Sequence, residues 1–330
     1  MKHPIFKSTA CALLLVPLIS VQADTFGSGS NAFTINFVTI GNAGNGNDRA
    51  LDNTNNTPGN PSDDEYASPL GGVAYVFRMG VTEVPQDWID KATNLGLTGV
   101  TAGAWTGMQP ATSVYWYEAA AFVNWLNTST GHQAAYQLSN GNTTPMLWTS
   151  AQAWQAGGEN LYRHKDAYYF LPSDDEWYKA AYHKNDGVTA NYWDYATGSN
   201  LVPTAVTSGT GIGTAVYNNN NFNSFPAAVD NSGGLSAYGT RGQGGNVDEW
   251  QESADDGIND SASEARGHRG GDWQFPESQL RSSFSDGDAP GSADEDLGFR
   301  IASVPEPSSA ALILSAVMPA LLQRRRRLSA

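Results

Sequence analysis

Two segments of the chain carry the hydrophobic spacing of an amphipathic helix. From Trp116 to Leu126, apolar residues recur at intervals of three and four, which places them on one helical face. A second helix is predicted to begin at Ser173. Ser173 and Glu176 form the Ser-x-x-Glu pattern, in which each side chain satisfies a free backbone N–H of the other's residue. The buried stripe of this second helix comprises Trp177, Ala180 and Ala181.

Short strand-like runs surround these helices, and long polar stretches separate them. The predicted strands are Phe33–Ile40, Val73–Met79 and Leu297–Ala302. The stretches 41–61 and 217–223 are rich in Asn and Gly, which tolerate positive φ angles, so we predict surface loops there. The mixture predicts an α+β fold with little regular secondary structure.

The first 23 residues have the three-part pattern of a secretory signal. Lys2 and Lys7 precede an apolar run at 10–19, and Val21-Gln22-Ala23 offers the small-x-small cleavage pattern. The alternatives are a membrane anchor or a buried helix, but the run is short and Pro17 interrupts it. The sequence therefore predicts an exported protein whose mature chain begins at Asp24.

The last 27 residues, 304–330, are also patterned. Val304-Pro305-Glu306-Pro307 precedes an apolar stretch at 308–322, and four arginines follow at 324–327. This order resembles the PEP-CTERM sorting signal of Gram-negative bacteria that make exopolysaccharide, and the alternative is a frayed amphipathic tail. The resemblance implies an exosortase-type partner that cuts near Pro-Glu-Pro after a membrane-anchored stage. The expected location is the cell envelope, outer surface or extracellular matrix.

Charge and cysteine content restrict the function of the remaining domain, residues 24–303. The whole chain has 18 basic and 33 acidic residues, net −15. Removing both terminal segments takes away six basic residues and Glu306, which leaves a net charge of −20. Such a surface disfavours nucleic acid, whose phosphates need lysine and arginine, and suits cations or hydroxyl-rich glycans. The single cysteine, Cys11, lies in the predicted signal, so the mature domain has neither a disulfide nor a thiolate.

A series of motifs in 33–303 resembles the formylglycine-generating enzyme (sulfatase-modifying factor) family. Each motif is weak alone, but their order and spacing together are specific. The resemblance implies a variant of the C-type lectin fold. The motifs are Gly71-Gly72-Val73-Ala74-Tyr75, Val81-Thr82-Glu83-Val84, Pro110-Ala111-Thr112-Ser113-Val114, Leu171-Pro172-Ser173-Asp174-Asp175-Glu176-Trp177, Ala237-Tyr238-Gly239, Gly245-Asn246-Val247-Asp248-Glu249-Trp250, Arg269-Gly270-Gly271-Asp272-Trp273 and Leu297-Gly298-Phe299-Arg300.

The sequence differs from the family pattern at the positions that carry the family's oxidase chemistry. Catalytic members bind copper through two cysteines after the Arg-Gly-Gly-x-Trp motif, and the resemblance places those positions at Phe275 and Leu280. Neither side chain supplies the soft sulfur that Cu(I) selects, so we expect no copper, no catalytic residue and no formylglycine-generating activity. Other relatives use iron held by histidines of an additional helical domain, and this chain has no such domain. The histidines at 132, 164, 183 and 268 lack the spacing of a shared metal site. His268 is predicted as a surface or hydrogen-bonding group, and the alternative is a functional residue, because it adjoins the Arg269-Gly270-Gly271 turn.

A structural calcium ion is the cofactor that the resemblance implies. In the family, the Gly-Asn-Val-x-Glu-Trp motif binds calcium. Carried over, the ligands are the side chains of Asn246 and Glu249 and the backbone carbonyls of Val247 and Gln251. The alternative is that Asn246 and Glu249 cap a turn without metal. Asp248 stands where the family often has tryptophan, and either adds a ligand or faces water.

Other candidate residues give weaker signals. A second family calcium site is expected near Tyr217 and Asn218, where the sequence assigns no ligands. The acidic run 255–260 has its glycine misplaced for an EF-hand, so we predict a solvated loop. Asp286 and Asp288 are chemically able to act as acid and base on a glycan, but a solvated loop is the favoured interpretation. No Gly-x-Ser-x-Gly elbow supports a serine hydrolase.

Three hypotheses therefore remain for the domain. In the first, it is a non-catalytic, calcium-stabilised binding or structural module with exopolysaccharide or another envelope component as ligand. In the second, it is an enzyme with cysteine-independent, metal-dependent chemistry. In the third, it is a matrix protein without a small ligand. Sugar stacking in the first hypothesis would use exposed aromatic side chains, for which the candidates are Trp105, Trp148, Trp154 and Trp193.

Overall fold

The computed structural model describes residues 21–48, 51–52, 65–66, 69–101, 103–218 and 225–305. Most of the predicted signal and sorting segments lies outside these ranges, and within them no helix is long and apolar enough to cross a membrane. The described helices are α1 (Gln86–Asn94), α2 (Trp116–Ser129) and α3 (Asp174–Tyr182). The described strands, β1 to β17 in chain order, are Val21–Phe26, Phe33–Ile40, Leu51–Asp52, Glu65–Tyr66, Phe77–Gly80, Gln137–Ser139, Thr144–Met146, Ala153–Trp154, Asn160–His164, Tyr169–Phe170, Thr204–Val206, Thr214–Val216, Asp248–Ala254, Arg266–Arg269, Asp286–Asp288, Leu297–Phe299 and Ala302–Ser303.

Both predicted helices are present, and α1 is an addition that the sequence did not reveal. Helix α2 begins at Trp116 as predicted and runs three residues further than expected. Ser173 is the N-cap of α3, and its hydroxyl accepts from the Glu176 N–H while the Glu176 carboxylate accepts from the Ser173 N–H. Helix α1 has only nine residues, and its buried apolar side chains give too short a pattern to recognise.

Two sheets form the centre of the described fold. The larger is antiparallel, with strand order β1-β2-β5-β17-β10. Strand β2 matches its predicted bounds, whereas the predicted strand Val73–Met79 is ordered as a strand only over Phe77–Gly80. The predicted strand Leu297–Ala302 divides into β16 and β17, because Arg300 and Ile301 carry the chain from one sheet to the other.

The smaller sheet, of order β15-β14-β13-β16, determines which side chains face the core and which face a pocket. Strand β13 runs antiparallel to β14 and parallel to β16, and all seven of its residues are buried. Successive side chains on a strand point to opposite faces, so Asp248 and Glu249 are directed apart. Register places Trp250 opposite His268, and His268 opposite Asp286, so these residues share the face of Asp248.

The predicted start of the mature chain lies inside strand β1. Val21 and Ala23 are exposed, and Gln22 is half-buried, so a cut after Ala23 removes little buried surface. Asp24 is different, because its carboxylate forms a bidentate pair with the buried Arg78 at 2.7 and 3.1 Å and accepts a third bond from Tyr169. Cleavage at this site remains a prediction, and it would keep the ion pair.

The Asp24–Arg78 pair gives the first test. We expect Asp24→Asn to lower the free energy of unfolding by about 3 kcal/mol, because it leaves a buried guanidinium without its countercharge. The control Asp87→Asn removes a half-exposed pair with Lys91 and should cost less than about 1 kcal/mol. Urea denaturation measures both. Equal small losses would contradict a structural role for Asp24.

Candidate functional site

The residues predicted to bind calcium are engaged by protein groups instead. Asn246 is fully buried with φ of 70°, a left-handed conformation that Asn tolerates. Its amide nitrogen donates to Glu83 at 2.9 Å, and its amide oxygen accepts from the Ala227 N–H at 2.8 Å. The Gln251 carbonyl oxygen accepts from the Trp116 indole at 2.8 Å, and Val247 is buried beside Trp273.

Glu249 lies in a buried ion pair rather than at an open coordination position. Its carboxylate accepts two bonds from Arg300, both 2.5 Å, and one from the Trp177 indole at 2.7 Å. Glu249 and Arg300 are both fully buried, so the guanidinium supplies the positive charge that a cation would otherwise bring. The side-chain oxygens of Asn246 and Glu249 thus already accept hydrogen bonds from protein donors, which fits a calcium ion poorly. Across the described residues, no group of three or more His, Cys, Asp and Glu is spaced to hold a metal.

Glu83 completes this buried cluster and is incompletely satisfied. One carboxylate oxygen accepts from Asn246, and the other has no hydrogen-bond partner within the described part of the chain. Burial, together with the nearby charge of Glu249, raises the pKa of Glu83 to about 7. Gly242, with φ of 77°, passes directly against this carboxylate, and a Cβ there would collide with it.

An open pocket lies on the opposite face of β13. We call it the acidic pocket, a cavity of about 400 Å³ with seven carboxyl groups and one histidine in its lining. Among the lining residues that the structure describes, none is a lysine or an arginine. The lining comprises Asp248, His268, Asp272, Gln274, Phe275, Gln279, Phe284, Asp286, Asp288, Asp294, Glu295, Asp296 and Leu297.

His268 is buried in this pocket between two carboxylates. Its Nδ1 lies 3.8 Å from Asp248 Oδ2 and its Nε2 lies 3.4 Å from Asp288 Oδ2, and neither contact has hydrogen-bond geometry. Burial alone lowers the pKa of His268, but the carboxylates of Asp248, Asp286 and Asp288 outweigh burial and raise it above the usual value. His268 therefore does not lie at the surface, since β14 places it in the lining of the cavity.

Asp272 is the second buried group of the pocket with an unsatisfied atom. One oxygen accepts from the backbone N–H groups of Gln274 and Phe275, and Oδ2 has no partner among the described residues. Burial raises the pKa of Asp272 to about 8, and the charges of Asp248 and Asp296 add to the effect. Burial likewise raises the pKa of Asp296 to about 6. Such strongly perturbed groups in a cavity are typical of functional sites.

The backbone after β14 determines the position of Asp272. Gly270 and Gly271 have φ of 118° and 67°, conformations that L side chains rarely adopt, and the turn aims the Gly271 N–H at Asp248 Oδ1, 2.7 Å away. Asp248, which departs from the family motif, is thereby held at the pocket wall. Its carboxylate faces the pocket rather than bulk water.

The structure can be compared with three further predictions from the sequence. Asp286 and Asp288 form strand β15 and line the acidic pocket, so the loop expected there is wrong. The 255–260 run is an exposed acidic loop, as predicted. Near the expected second calcium site, Tyr217 donates to Pro203 and Asn218 to Phe275, and residues 219–224 lie outside the described ranges.

Of the two positions that the sequence resemblance assigned to copper ligands, Phe275 lines the acidic pocket and Leu280 does not. Phe275 is 45% exposed at its rim, and Leu280 is buried. Trp105 packs edge-on against Trp273, and its indole donates to the Glu295 carbonyl, so it stands beside the same pocket. The other three candidate tryptophans, at 148, 154 and 193, are half-buried and lie outside the pocket lining.

Comparison with known proteins identifies the family. The family model described as sulfatase-modifying factor enzyme 1-like domain matches residues 75–304, more than half of the chain. The chain therefore belongs to this family, and its α+β fold with little regular secondary structure agrees with the predicted class. A search of curated proteins found no match.

Three solved structures are similar over nearly their whole lengths. Treponema denticola variable protein 1 has 21% identity and a TM-score of 0.53, with 88% of this chain and 100% of that one covered. CarF has 20% identity and a TM-score of 0.56, with coverage of 82% and 99%. PvdO from Pseudomonas aeruginosa has 16% identity and a TM-score of 0.52, with coverage of 86% and 98%. At these identities the comparisons establish the fold and not the activity.

The ion pair of Glu249 is open to a direct test. We expect Glu249→Gln to cost about 3–5 kcal/mol of unfolding free energy in EGTA as well as in calcium, because Arg300 is left buried without a carboxylate. The control Glu159→Gln, at an exposed position, should change stability by less than about 0.5 kcal/mol. A loss that appears only when calcium is present would instead support the predicted metal ligand.

The buried carboxyl of Asp272 predicts a pH dependence of stability. Its folded pKa of about 8 lies above the value near 4 of an unfolded aspartate, so its contribution is present at low pH and lost as pH rises through about 8. We expect the melting temperature of Asp272→Asn to fall less than that of the wild type between about pH 6 and pH 9. Asp166→Asn, at an exposed position, should leave the slope unchanged. Identical slopes for all three proteins would show that Asp272 titrates normally.

Proposed function

We propose that this chain is an exported, non-catalytic binding module of the cell envelope that holds its ligand in the acidic pocket. The proposal depends on two buried pocket groups, Asp272 and His268: Oδ2 of Asp272 and both ring nitrogens of His268 lack hydrogen bonds within the described structure. A buried polar atom without a partner costs about 1–3 kcal/mol, so a fold keeps such atoms where a ligand satisfies them.

The absence of thiols in the mature sequence supports binding over oxidation. Phe275 and Leu280 occupy the positions that the family resemblance assigns to the copper cysteines, and Cys11 is the only cysteine of the chain. The pocket beside Phe275 presents carboxylates, which are hard oxygen donors and poor ligands for Cu(I). The proposed module therefore uses the family fold without the family's oxidase reaction.

The terminal patterns support export and sorting. The signal pattern at 1–23 and the PEP-CTERM-like tail at 304–330 frame the domain, which matches an exosortase-processed envelope protein. An envelope location makes extracellular polysaccharide or another envelope component the candidate ligand. The pocket volume of about 400 Å³ lies within the range of cavities that hold small organic ligands.

In the proposed module an internal ion pair, rather than the calcium ion expected from the sequence, neutralises Glu249. Asn246 and Glu249 already have protein partners, and Arg300 occupies the electrostatic role of a cation beside Glu249. The module is stabilised through this internal ion pair.

A second candidate function, a cysteine-independent enzyme, is favoured by one observation. His268 lies in the cavity between Asp248 and Asp288, and its pKa is raised. A histidine in this position is suited to proton transfer. Incubating the protein with a ligand that it binds, in the presence of a series of divalent metals, distinguishes the binding module from the enzyme. A ligand recovered unchanged by mass spectrometry supports the binding module, and a conversion lost in His268→Gln supports the enzyme.

Filling the pocket tests the binding function without assuming what the ligand is. Gln274 is half-buried in the lining, so Gln274→Trp should occupy the cavity and reduce binding of envelope polysaccharide to the purified full chain at least about tenfold. Gln155→Trp, at an exposed position away from the pocket, is the matched control and should bind normally. Retained binding in both variants, measured by biolayer interferometry, would show that the pocket is not the binding site.

A further inference from the structure

The charge of the acidic pocket restricts the chemistry of its ligand. Seven carboxyl groups surround the cavity, and His268 is the single basic side chain in the described lining. Burial is the main cause of the raised pKa values of Asp272 and Asp296, and the like charges of neighbouring carboxylates add to it. A ligand with positive charge relieves this repulsion, whereas an anion increases it.

The size and geometry of the pocket indicate an organic cation rather than a bare metal ion. A cavity of about 400 Å³ is more than ten times the volume of about 30 Å³ that one water molecule takes up. No trio of acidic or histidine side chains in the described residues is spaced for metal coordination. The carboxylates instead surround a space large enough for a charged group together with its carbon skeleton.

The pocket also has a surface for that carbon skeleton. Phe275, Phe284 and Leu297 interrupt the acidic lining, and Phe275 is 45% exposed at the rim. Aromatic faces attract both the apolar faces of sugar rings and nearby cations. The buried carboxyl oxygen of Asp272 lacks a donor, and an ammonium group brings three N–H donors.

We propose that the acidic pocket binds an organic ligand through a primary ammonium group seated at Asp272 between Asp248 and Asp296, with its carbon skeleton against Phe275. This inference rests on the proposed binding function and names the ligand class for the same pocket. A glycan with free amino groups and a lysine-rich peptide share this chemistry. The carbohydrate source suits an envelope protein, and the peptide source is a separate arm of the test.

When the ammonium group binds, Asp272 should release its proton and become a carboxylate. With a pKa of about 8, the Asp272 carboxyl of the free protein is protonated below neutrality, and the ammonium group stabilises its ionised form. The other titratable groups that face it are His268 and the six further carboxyls, at 248, 286, 288, 294, 295 and 296. The neighbouring carboxylates raise the pKa of His268 above its usual value, and loss of its proton also favours a cation. Both groups therefore predict that tetralysine, whose side-chain amines stay charged, binds more tightly as pH rises towards the pKa of about 8 of Asp272.

Isothermal titration calorimetry of the full chain with three probes tests the inference. The probes are a glucosamine tetramer, its fully N-acetylated counterpart and tetralysine, at about pH 5.5, where the free amines of both cationic probes are protonated. We expect the glucosamine tetramer to bind about 10- to 100-fold more tightly than the acetylated one, which has lost the charge. Titration in two buffers of different ionisation enthalpy should show about one proton released per ligand bound.

Two variants test whether amine binding and proton release depend on Asp272. Asp272→Asn should weaken binding of the glucosamine tetramer about tenfold or more and abolish the proton release, and Asp166→Asn should do neither. Thermal melting checks that Asp272→Asn is folded. Equal binding of tetralysine would support the ammonium group and assign it to a peptide, and preference for glucosamine would assign it to a glycan.

The outcomes separate the ligand class from the binding function. If acetylated and free oligomers bind equally and Gln274→Trp stops both, the pocket binds ligands but the ammonium inference is wrong. If no amine probe binds while envelope polysaccharide is held in a Gln274-dependent way, the ammonium inference is again overturned. If Gln274→Trp changes nothing for any ligand, both the inference and the proposed function fail.

Discussion

The buried ion pair between Glu249 and Arg300 connects more of this fold than any other interaction described above. Glu249 lies on β13 and also receives the indole N–H of Trp177 from α3. Arg300 stands between β16 and β17 and donates to the carbonyls of Gly80 and Arg241. One charge pair therefore joins both sheets, a helix and a loop. Because both side chains are fully buried, neither tolerates loss of the other.

Strand alternation gives the two neighbouring acids of β13 opposite environments. Glu249 faces the core and is neutralised by Arg300, whereas Asp248 faces the acidic pocket with no arginine beside it. The charge of Glu249 is thus compensated in the interior, whereas carboxyl groups without a basic partner other than His268 are concentrated on the other side of the same strand. The repulsion between these carboxyl groups lowers the stability of the free protein, as is common at sites that bind a charged ligand.

The sequence predicts the parts of this structure that depend on local patterns. The capping box at Ser173 and Glu176, the apolar stripe of α2 and the alternation of β2 each require only a few neighbouring residues, and each is present. The family and fold class follow from the order of the motifs. Helix α1 was missed because its pattern covers barely two turns.

The site depends on long-range register, which no local pattern contains. His268, Asp272 and Asp286 are separated from Asp248 by 20 or more residues, and pairing of β13, β14 and β15 brings three of these four together. The calcium assignment took Asn246 and Glu249 from a motif and had no means to foresee Arg300 and Glu83 as their partners. The signal available in the sequence was Asp248, an acid where the family often has tryptophan.

Carbon-13 NMR of the aspartate side-chain carboxyls in the free protein would show whether the acidic pocket holds a buried carboxyl that stays protonated at neutral pH. We expect one aspartate carboxyl that titrates near pH 8, and this signal should be missing from Asp272→Asn. If every aspartate carboxyl titrates below about pH 5, the acidic pocket is an ordinary solvated surface and is not prepared for a cation.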